Sequence, residues 1–148
     1  MSNNKREKVT VIFAGDSGDG IQLTGFEFSN TTALYGNDIS TFPDFPAEIR
    51  APQGTVSGVS GFKINFGSTE VFTPGGLADV MVAMNAAAFK KNLDQLKKNS
   101  LIIANEDGFD KRNLRLAGYL DAEDPLKEQE SFHQIIRIDV TRLTREAL

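Results

Sequence analysis

Residues Asp16 to Gly20 combine the residue types with which proteins hold phosphate or a metal ion. They follow an apolar run, Val9–Ala14, that is typical of a buried parallel strand. A helical pattern begins at Ile21. A glycine-rich turn between a strand and a helix presents backbone N–H groups, and the helix dipole adds partial positive charge there. The segment therefore predicts an anion-binding turn, with the N–H groups of Ser17, Gly18, Asp19 and Gly20 as donors.

The known nucleotide motifs are incomplete in this turn. The dinucleotide fingerprint G-x-G-x-x-G fails because Leu23 replaces its third glycine, and no Gly-Lys-Ser/Thr of a P-loop follows. Gly18-Asp19-Gly20 is similar to the triplet with which thiamine diphosphate enzymes hold magnesium. That motif needs a later Asn, but "PDFPAEIRAP" contains none. We therefore predict no metal site in this chain.

A purely structural interpretation of the turn stays open. Asp19 could cap the following helix, with Gln22 completing a capping box three residues later. The carboxylates of Asp16 and Asp19 would also compete with a bound anion for the N–H groups. Phosphate binding would then need a cation from elsewhere, such as Arg50 or a neighbouring subunit. The structural alternative for Arg50 is an ion pair with Glu48.

The sequence offers no set of catalytic side chains. It contains no cysteine, which excludes disulfides, thiolate zinc sites and a cysteine-ligated iron–sulfur cluster within these residues. His133 is its single histidine, and a lone histidine is more often structural than catalytic. Glu106 and Asp107 follow a predicted strand and more often cap a helix than act as acid and base. We therefore predict no catalytic residue.

Strand-like and helix-like segments alternate along the chain, which indicates one domain over residues 1–148. The predicted fold class is α/β, a three-layer α/β/α domain with a mostly parallel open sheet. An antiparallel or irregular excursion is expected around residues 43–75. The predicted strands are Val9–Ala14, Asp38–Phe42, Gly61–Gly67, Asp79–Met84, Leu101–Asn105 and Ile135–Val140. Apolar and polar residues alternate in Gly61–Gly67, which predicts a half-buried strand there.

The helices are less regular than the strands. One is predicted from Ile21 to Tyr35 and ended by Gly36-Asn37. A second begins at the N-cap Asn85 and places Lys97 and Lys98 in its last turn. The closing "TRLTREAL" reads as the opening of a third helix, and we interpret the chain as a piece of a longer polypeptide.

Charge and hydropathy argue against a nucleic-acid-binding protein and against a membrane protein. The net charge is −4 and no Lys/Arg cluster is present, so a nucleic-acid partner is not expected. No apolar run approaches the roughly 20 residues needed to cross a bilayer, so no membrane association is expected either. The absence of cysteine agrees with a cytoplasmic location.

Several stretches together resemble one known family. With "GDSGDGIQLTG" and "FPAEIRAP", the stretches "GVSGF", "FTPGG" and "DVMVAMN" make the chain similar to the N-terminal gamma domain of the alpha subunit of 2-oxoacid:ferredoxin oxidoreductases, of the 2-oxoglutarate type. The resemblance runs from Val9 to Leu148. It implies part of a complex that converts a 2-oxoacid and coenzyme A into an acyl-CoA and carbon dioxide, passing electrons to ferredoxin.

The resemblance also implies what this domain lacks. Thiamine diphosphate, magnesium and iron–sulfur clusters are expected elsewhere in the complex, and the isolated domain is expected to be inactive. Its implied partners are the remainder of the alpha subunit, the beta subunit and, through the complex, ferredoxin. Its implied ligand is coenzyme A, held by residues 17–20 and Arg50, with the "TPGG" loop at Thr73–Gly76 as a second candidate.

A small nucleotide-binding or receiver-like regulatory module is the rival interpretation, because a doubly wound fold does not by itself fix a function. The surface near Phe42–Pro52 distinguishes the two. An assembly domain should expose apolar side chains there, whereas a freestanding module should bury Phe42, Phe45 and Ile49.

Overall fold

The computed structural model describes residues 6–48, 50–73 and 75–148. Its core is one six-stranded sheet with the strand order β2-β3-β1-β4-β5-β6. The strands are β1 (Lys8–Asp16), β2 (Asp38–Asp44), β3 (Val59–Gly67), β4 (Ala78–Ala83), β5 (Leu96–Asn105) and β6 (Gln134–Ile138). Only β3 runs against the other strands, pairing antiparallel with both β1 and β2. The expected mostly parallel sheet and its excursion within residues 43–75 are both confirmed.

The helices complete the three layers. They are α1 (Ile21–Leu34), α2 (Ala86–Asn92), α3 (Lys111–Leu116), α4 (Pro125–Gln129) and α5 (Val140–Ala147). Helix α1 covers β1, β2 and β3 on one face, over a core that contains Phe13 and Ile64. Helix α2 and its neighbours cover the other face, where Met81, Phe89 and Ile102 are fully buried. The predicted α/β/α arrangement is therefore the observed one.

Helix α1 packs on the sheet through small side chains. Gly25, Ser29 and Thr32 are buried, whereas Leu23 and Phe26 are more than half exposed. The helix ends as predicted, because Gly36 adopts a left-handed conformation with φ 82°. The N–H of Asn37 reaches back to the carbonyl of Thr32 at 3.4 Å, which closes the last turn.

Two predictions about the elements are wrong. Helix α2 stops at Asn92, and after a short 3₁₀ turn the chain enters β5 at Leu96, so Lys97 and Lys98 lie in a strand. Strand β3 is not half-buried, because helices lie on both of its faces and only Lys63 and Phe66 keep partial exposure.

The side of the sheet on which successive strands are added switches between β1 and β4. The chain from β1 leads through α1 to β2 and β3 on one side, and β4 to β6 extend the sheet on the other. Open α/β sheets bind ligands outside the carboxyl ends of strands at such a switch point. Asp16 to Gly20 follow β1 at this position, so the fold places the predicted turn where a ligand site is expected.

Candidate functional site

The turn after β1 is exposed, and it leads into α1 through a residue in the left-handed conformation. Ser17–Asp19 form a 3₁₀ turn, Gly20 has φ 70°, and α1 begins at Ile21. The four residues from Ser17 to Gly20 are all exposed. No atom lies within 4 Å of the position that a Cβ on Gly20 would occupy. Since the first N–H groups of a helix lack partners within it, this exposed turn can approach an anion closely.

Asp16 is buried beneath this surface, and both of its carboxylate oxygens accept from the Gly54 N–H at 3.0 Å. Asp16 and Asp19 also form a capping box around the 3₁₀ turn, in which the Asp16 side chain is the partner of the Asp19 N–H. Asp16 therefore competes with a bound anion at that one donor, as expected from the sequence.

Asp19 folds back on the turn. Its Oδ2 accepts from the Asp16 N–H at 2.9 Å. Partial burial raises the pKa of Asp19 above its ordinary value of 3.8, the hydrogen bond from Asp16 opposes that shift, and the negative charge of Asp16 adds to it. A phosphate brought beside Asp19 would raise the pKa of this carboxyl group further, because a like charge disfavours the ionised form.

The predicted capping box between Asp19 and Gln22 is wrong. Gly20 is the N-cap of α1 and offers no side-chain hydrogen bond. The Gln22 amide instead donates to Ser60 Oγ at 3.0 Å and to the Gly61 carbonyl at 2.7 Å. Gln22 therefore joins helix α1 to strand β3 rather than closing its own helix.

Arg50 lies in the loop that packs on the glycine turn. Gln53 contacts Gly18, where an added Cβ would be 3.4 Å from its Nε2, and Gly54 bonds to Asp16. Arg50 itself is exposed. Within residues 6–48, 50–73 and 75–148 it forms no ion pair of 4.0 Å or less, so the expected pair with Glu48 is not observed. The structure thus brings the Arg50 loop to the turn and leaves the guanidinium in solvent.

Two asparagines organise the rest of this sheet edge, and one of them was missed from the sequence. Asn85 caps α2 as predicted, accepting from the Ala88 N–H at 2.8 Å. Asn105 donates to the Met84 carbonyl at 3.2 Å and accepts from the Val140 N–H at the same distance. A polar residue that directly follows an apolar strand was the available signal for Asn105.

A cavity of about 380 Å³ opens on the face of the sheet that carries α2. Strands β1, β2 and β3, the end of α2 with the turn after it, and the loop before β4 form its walls. Its lining residues are Ile12, Phe42, Asp44, Gly61, Phe62, Lys63, Gly75, Asn92 and Gln95. No sequence motif indicated this cavity, because its walls come from five separate segments.

The remaining candidates do not assemble into a catalytic group. Ser100 Oγ lies 2.8 Å from His133 Nδ1, and burial lowers the pKa of His133 below its ordinary value of 6.5. In the described part of the chain no carboxylate lies within 4.0 Å of the His133 ring, so a triad is not formed. Glu106 and Asp107 begin a 3₁₀ turn. In the "TPGG" loop, Pro74 lies outside the described residues.

Two further findings concern metal binding and membrane insertion. The described residues contain no group of three or more His, Cys, Asp or Glu side chains arranged to hold a metal ion. Among the same residues, every helix is too short or too polar to span a lipid bilayer.

Comparison with known proteins was made on the sequence and on the fold. The family model described as pyruvate ferredoxin/flavodoxin oxidoreductase matches residues 10–148. A curated relative, the 2-oxoglutarate oxidoreductase subunit KorA of Mycobacterium tuberculosis, is 46% identical over 143 residues. The match covers 96% of this chain and 22% of KorA, so the chain spans about a fifth of its relative's length.

Two solved structures share the fold. The 2-oxoglutarate:ferredoxin oxidoreductase from Magnetococcus marinus with 2-oxoglutarate, coenzyme A and succinyl-CoA bound aligns with a TM-score of 0.71 at 22% identity, over 96% of this chain and 22% of that one. The gamma subunit of a keto/oxoacid ferredoxin oxidoreductase from Geobacter sulfurreducens aligns with a TM-score of 0.61 at 16% identity, over 91% and 62%. From the family match and its identity to KorA, the chain belongs to the pyruvate ferredoxin/flavodoxin oxidoreductase family.

Proposed function

We propose that this chain is the gamma-type domain of the alpha subunit of a 2-oxoacid:ferredoxin oxidoreductase that acts on 2-oxoglutarate. The observation that carries the proposal is its 46% identity to KorA across nearly the whole chain. Residues 1–148 would then be one domain of a longer subunit, which agrees with their match to only 22% of KorA. The proposed location is the cytoplasm.

In this proposal the domain supplies no reacting group. Thiamine diphosphate, magnesium and the iron–sulfur clusters would belong to other parts of the complex. When bound there, they would supply the decarboxylation and the electron transfer to ferredoxin. The absence of cysteine in this chain is consistent with that division of labour. The task left for these residues is to bind neighbouring polypeptide and to help hold coenzyme A.

Exposed apolar side chains support the assembly role. Phe42 is 55% exposed and Phe45 is 67% exposed. Ile49, the third residue of this test, lies outside the described residues. A freestanding regulatory module would gain free energy by burying such aromatic side chains. The surface therefore favours the assembly domain over the receiver-like alternative.

The outer half of the sheet supports the same role. Helix α1 packs on β1, β2 and β3 on its face of the sheet, and this face becomes more exposed toward β6. Val82, Ile103 and Ile136 lie side by side on it; Val82 and Ile103 are partly buried, whereas Ile136 is 46% exposed. The proposed neighbours for these surfaces are the remainder of the alpha subunit and the beta subunit.

The turn after β1 supports a role in coenzyme A binding. Its four exposed residues, Ser17 to Gly20, can offer backbone N–H groups to a phosphate, and Gly20 leaves room for a close approach. The Arg50 loop packs beside them, so its guanidinium can add a bidentate contact to a phosphate oxygen pair. These residues would bind and orient the ligand while the reaction takes place on neighbouring polypeptide.

Calorimetry with coenzyme A and with ATP tests the ligand. We expect coenzyme A to bind more tightly than ATP. Arg50→Gln should weaken that binding, because it removes the proposed cation. Lys98→Gln is the control, since Lys98 is an exposed cation near the start of β5, at the opposite end of the parallel strands from the turn. Tighter binding of ATP than of coenzyme A would favour the nucleotide-binding regulatory module.

An activity measurement tests the division of labour. The isolated 148-residue chain should show no 2-oxoglutarate-dependent reduction of a redox dye, with or without coenzyme A. The same assay on the complete alpha and beta subunits is the positive control. Turnover by the isolated chain would refute the proposal that the domain lacks catalytic groups.

A further inference from the structure

The cavity on the α2 face contains an ammonium group without a counter-ion. Lys63 is paired across the sheet with Phe42 on β2 and with Ile12 on β1. Directly paired residues carry their side chains on the same face. The three side chains therefore form a row along the floor and wall of the 380 Å³ cavity.

Lys63 differs from the lysines of α2, which have partners. Lys91 bonds to Asp44 Oδ2 at 2.9 Å, and Lys90 donates to the Ala117 carbonyl at 3.0 Å. In the part of the chain that the structure describes, Lys63 has neither a hydrogen bond nor a carboxylate within 4.0 Å. Burial lowers the pKa of Lys63 below its ordinary value of 10.5. An ammonium that has lost water without gaining a partner is stabilised by any anion that reaches it.

The charges around the cavity leave it net positive. Asp44 is the one carboxylate among the described lining residues, and it is already paired with Lys91. The remaining polar side chains are amides. Gln95 Nε2 donates to Asn92 Oδ1 at 3.0 Å, and neither side chain carries a charge. One ammonium therefore dominates the electrostatics of the cavity.

We propose that this cavity binds a small organic anion, with its carboxylate or phosphate group on Lys63 Nζ and its apolar body between Phe42 and Ile12. The volume lies at the lower end of the range for ligand sites, about 300–1,000 Å³, so the ligand is small. A single acidic side chain from a neighbouring subunit would occupy only part of this space. No residue of the turn at 17–20 lines the cavity, so the site goes beyond the proposed coenzyme A contacts.

Benzoate and benzamide are suitable probes, because they share a ring and differ in charge. Two-dimensional ¹H–¹⁵N NMR of the chain should show benzoate shifting the resonances of Phe42, Lys63 and Gln95. Benzamide should bind at least about fivefold more weakly, since it lacks the charge-assisted bond to the ammonium. Benzoate should also raise the pKa of Lys63, measured from its side-chain resonances, because a bound anion favours the charged form.

Variants of Lys63 keep the proposal falsifiable. Lys63→Met should remove the preference for benzoate over benzamide, and Lys63→Arg should retain it. Lys111→Met, on the exposed surface of α3, is the control and should bind as the parent does. Dispersed spectra of each variant would show that it is folded. Equal binding of the two probes, or an unchanged preference in Lys63→Met, would overturn the proposal.

The assembled subunit distinguishes a ligand from a neighbouring side chain. We expect benzoate to bind in the presence of the remaining alpha and beta polypeptide as it does to the chain alone. If assembly abolishes benzoate binding and raises the pKa of Lys63, a carboxylate of the neighbouring subunit fills the cavity, and the small-ligand proposal is wrong.

Discussion

Gly25 lies where helix α1 crosses strand β3, too close for any side chain. A Cβ there would stand 2.2 Å from Cγ and Cδ1 of Phe62, which is buried in the core below the helix. Alanine is otherwise the better helix former by roughly 1 kcal/mol. We expect Gly25→Ala to lower the free energy of unfolding by about 1–3 kcal/mol, because forced overpacking outweighs helix propensity. Urea unfolding monitored by circular dichroism measures the change.

Gly76→Ala is the matched control for Gly25→Ala. No atom lies within 4 Å of a Cβ at position 76, so the substitution should leave the unfolding midpoint nearly unchanged. If Gly25→Ala were as stable as the parent, the close contact between α1 and β3 would not be present in solution.

Asp19 gives the turn after β1 a defined pH dependence. Its pKa is raised in the folded chain above the ordinary 3.8. In the interval just above 3.8 the folded state holds more protons than the unfolded state, so stability falls as pH rises through it. Asp19→Asn removes this pH-dependent loss of stability. It keeps a side-chain oxygen that can accept a hydrogen bond from the Asp16 N–H.

The variant and the parent should therefore diverge with pH. We expect the unfolding free energy of Asp19→Asn, relative to the parent, to increase from pH 3 to pH 6. The effect should be small because Asp19 is exposed to solvent. Asp121→Asn, on the exposed surface, is the control. A relative stability that decreases over the same interval would contradict the raised pKa.

The sequence indicated which residues form the turn but not what their side chains bond. Glycine spacing and the flanking strand and helix were sufficient to predict an exposed 17–20 segment. The long-range partners of Asp16 and Gln22 are 22 or more residues away along the chain, at Asp44, Gly54, Ser60 and Gly61. Local capping rules favoured a bond between Asp19 and Gln22, and long-range contacts with β3 prevailed instead.

Substitutions at two helix N-caps test how much α2 and α5 each contribute to the global free energy of unfolding. Asn85 caps α2, whose residues Ala86 to Phe89 are all buried. Asp139 caps α5, which has no buried residue. We expect Asn85→Ala to reduce the global free energy of unfolding by about 0.5–2 kcal/mol. Asp139→Ala should alter it much less, because α5 can fray without exposing the core.

Hydrogen exchange separates these two outcomes. Asp139→Ala should speed amide exchange in Val140–Ala147 alone, whereas Asn85→Ala should speed exchange across the sheet. Equal global destabilisation by both substitutions would show that α5 is an integral part of the core.

The sequence predicted elements well where a single pattern governs a segment. The apolar run before the glycine turn became β1, and the segment ended by Gly36 became α1. Prediction failed at Lys97 and Lys98, where basic residues after a helical pattern resembled a helix end. The helix instead ends at Asn92, whose side-chain amide donates to the Ala88 carbonyl at 2.9 Å, and the lysines extend β5. That early end is marked by a side-chain bond within the last turn of the helix, which the helical pattern did not indicate.

For the whole molecule, the exposed aromatic side chains of the β2 region are the clearest sign of assembly. Replacing Phe42 and Phe45 together by serine should leave the stability of the isolated chain nearly unchanged, since both are more than half exposed. The same double variant should weaken association with the remaining alpha and beta polypeptide at least about tenfold, because buried aromatic anchors dominate interface energies. Analytical ultracentrifugation or co-purification measures the association.

Leu120 and Phe132 supply a control for that experiment. Both are also more than half exposed, and both lie near the β5–β6 side of the sheet, away from β2. A Leu120→Ser, Phe132→Ser double variant that weakens association as strongly would show that apolar exposure in general, rather than the β2 region, carries the interface.

Strand β2 forms one edge of the sheet and contains Pro43 just before its last residue, with Asp38 and Asp44 at its ends. Proline has no N–H to donate, and charged residues disfavour the addition of another strand. A newly made chain can therefore leave its phenylalanines uncovered at this edge without templating fibrils. The uncovered edge is therefore compatible with a monomeric chain.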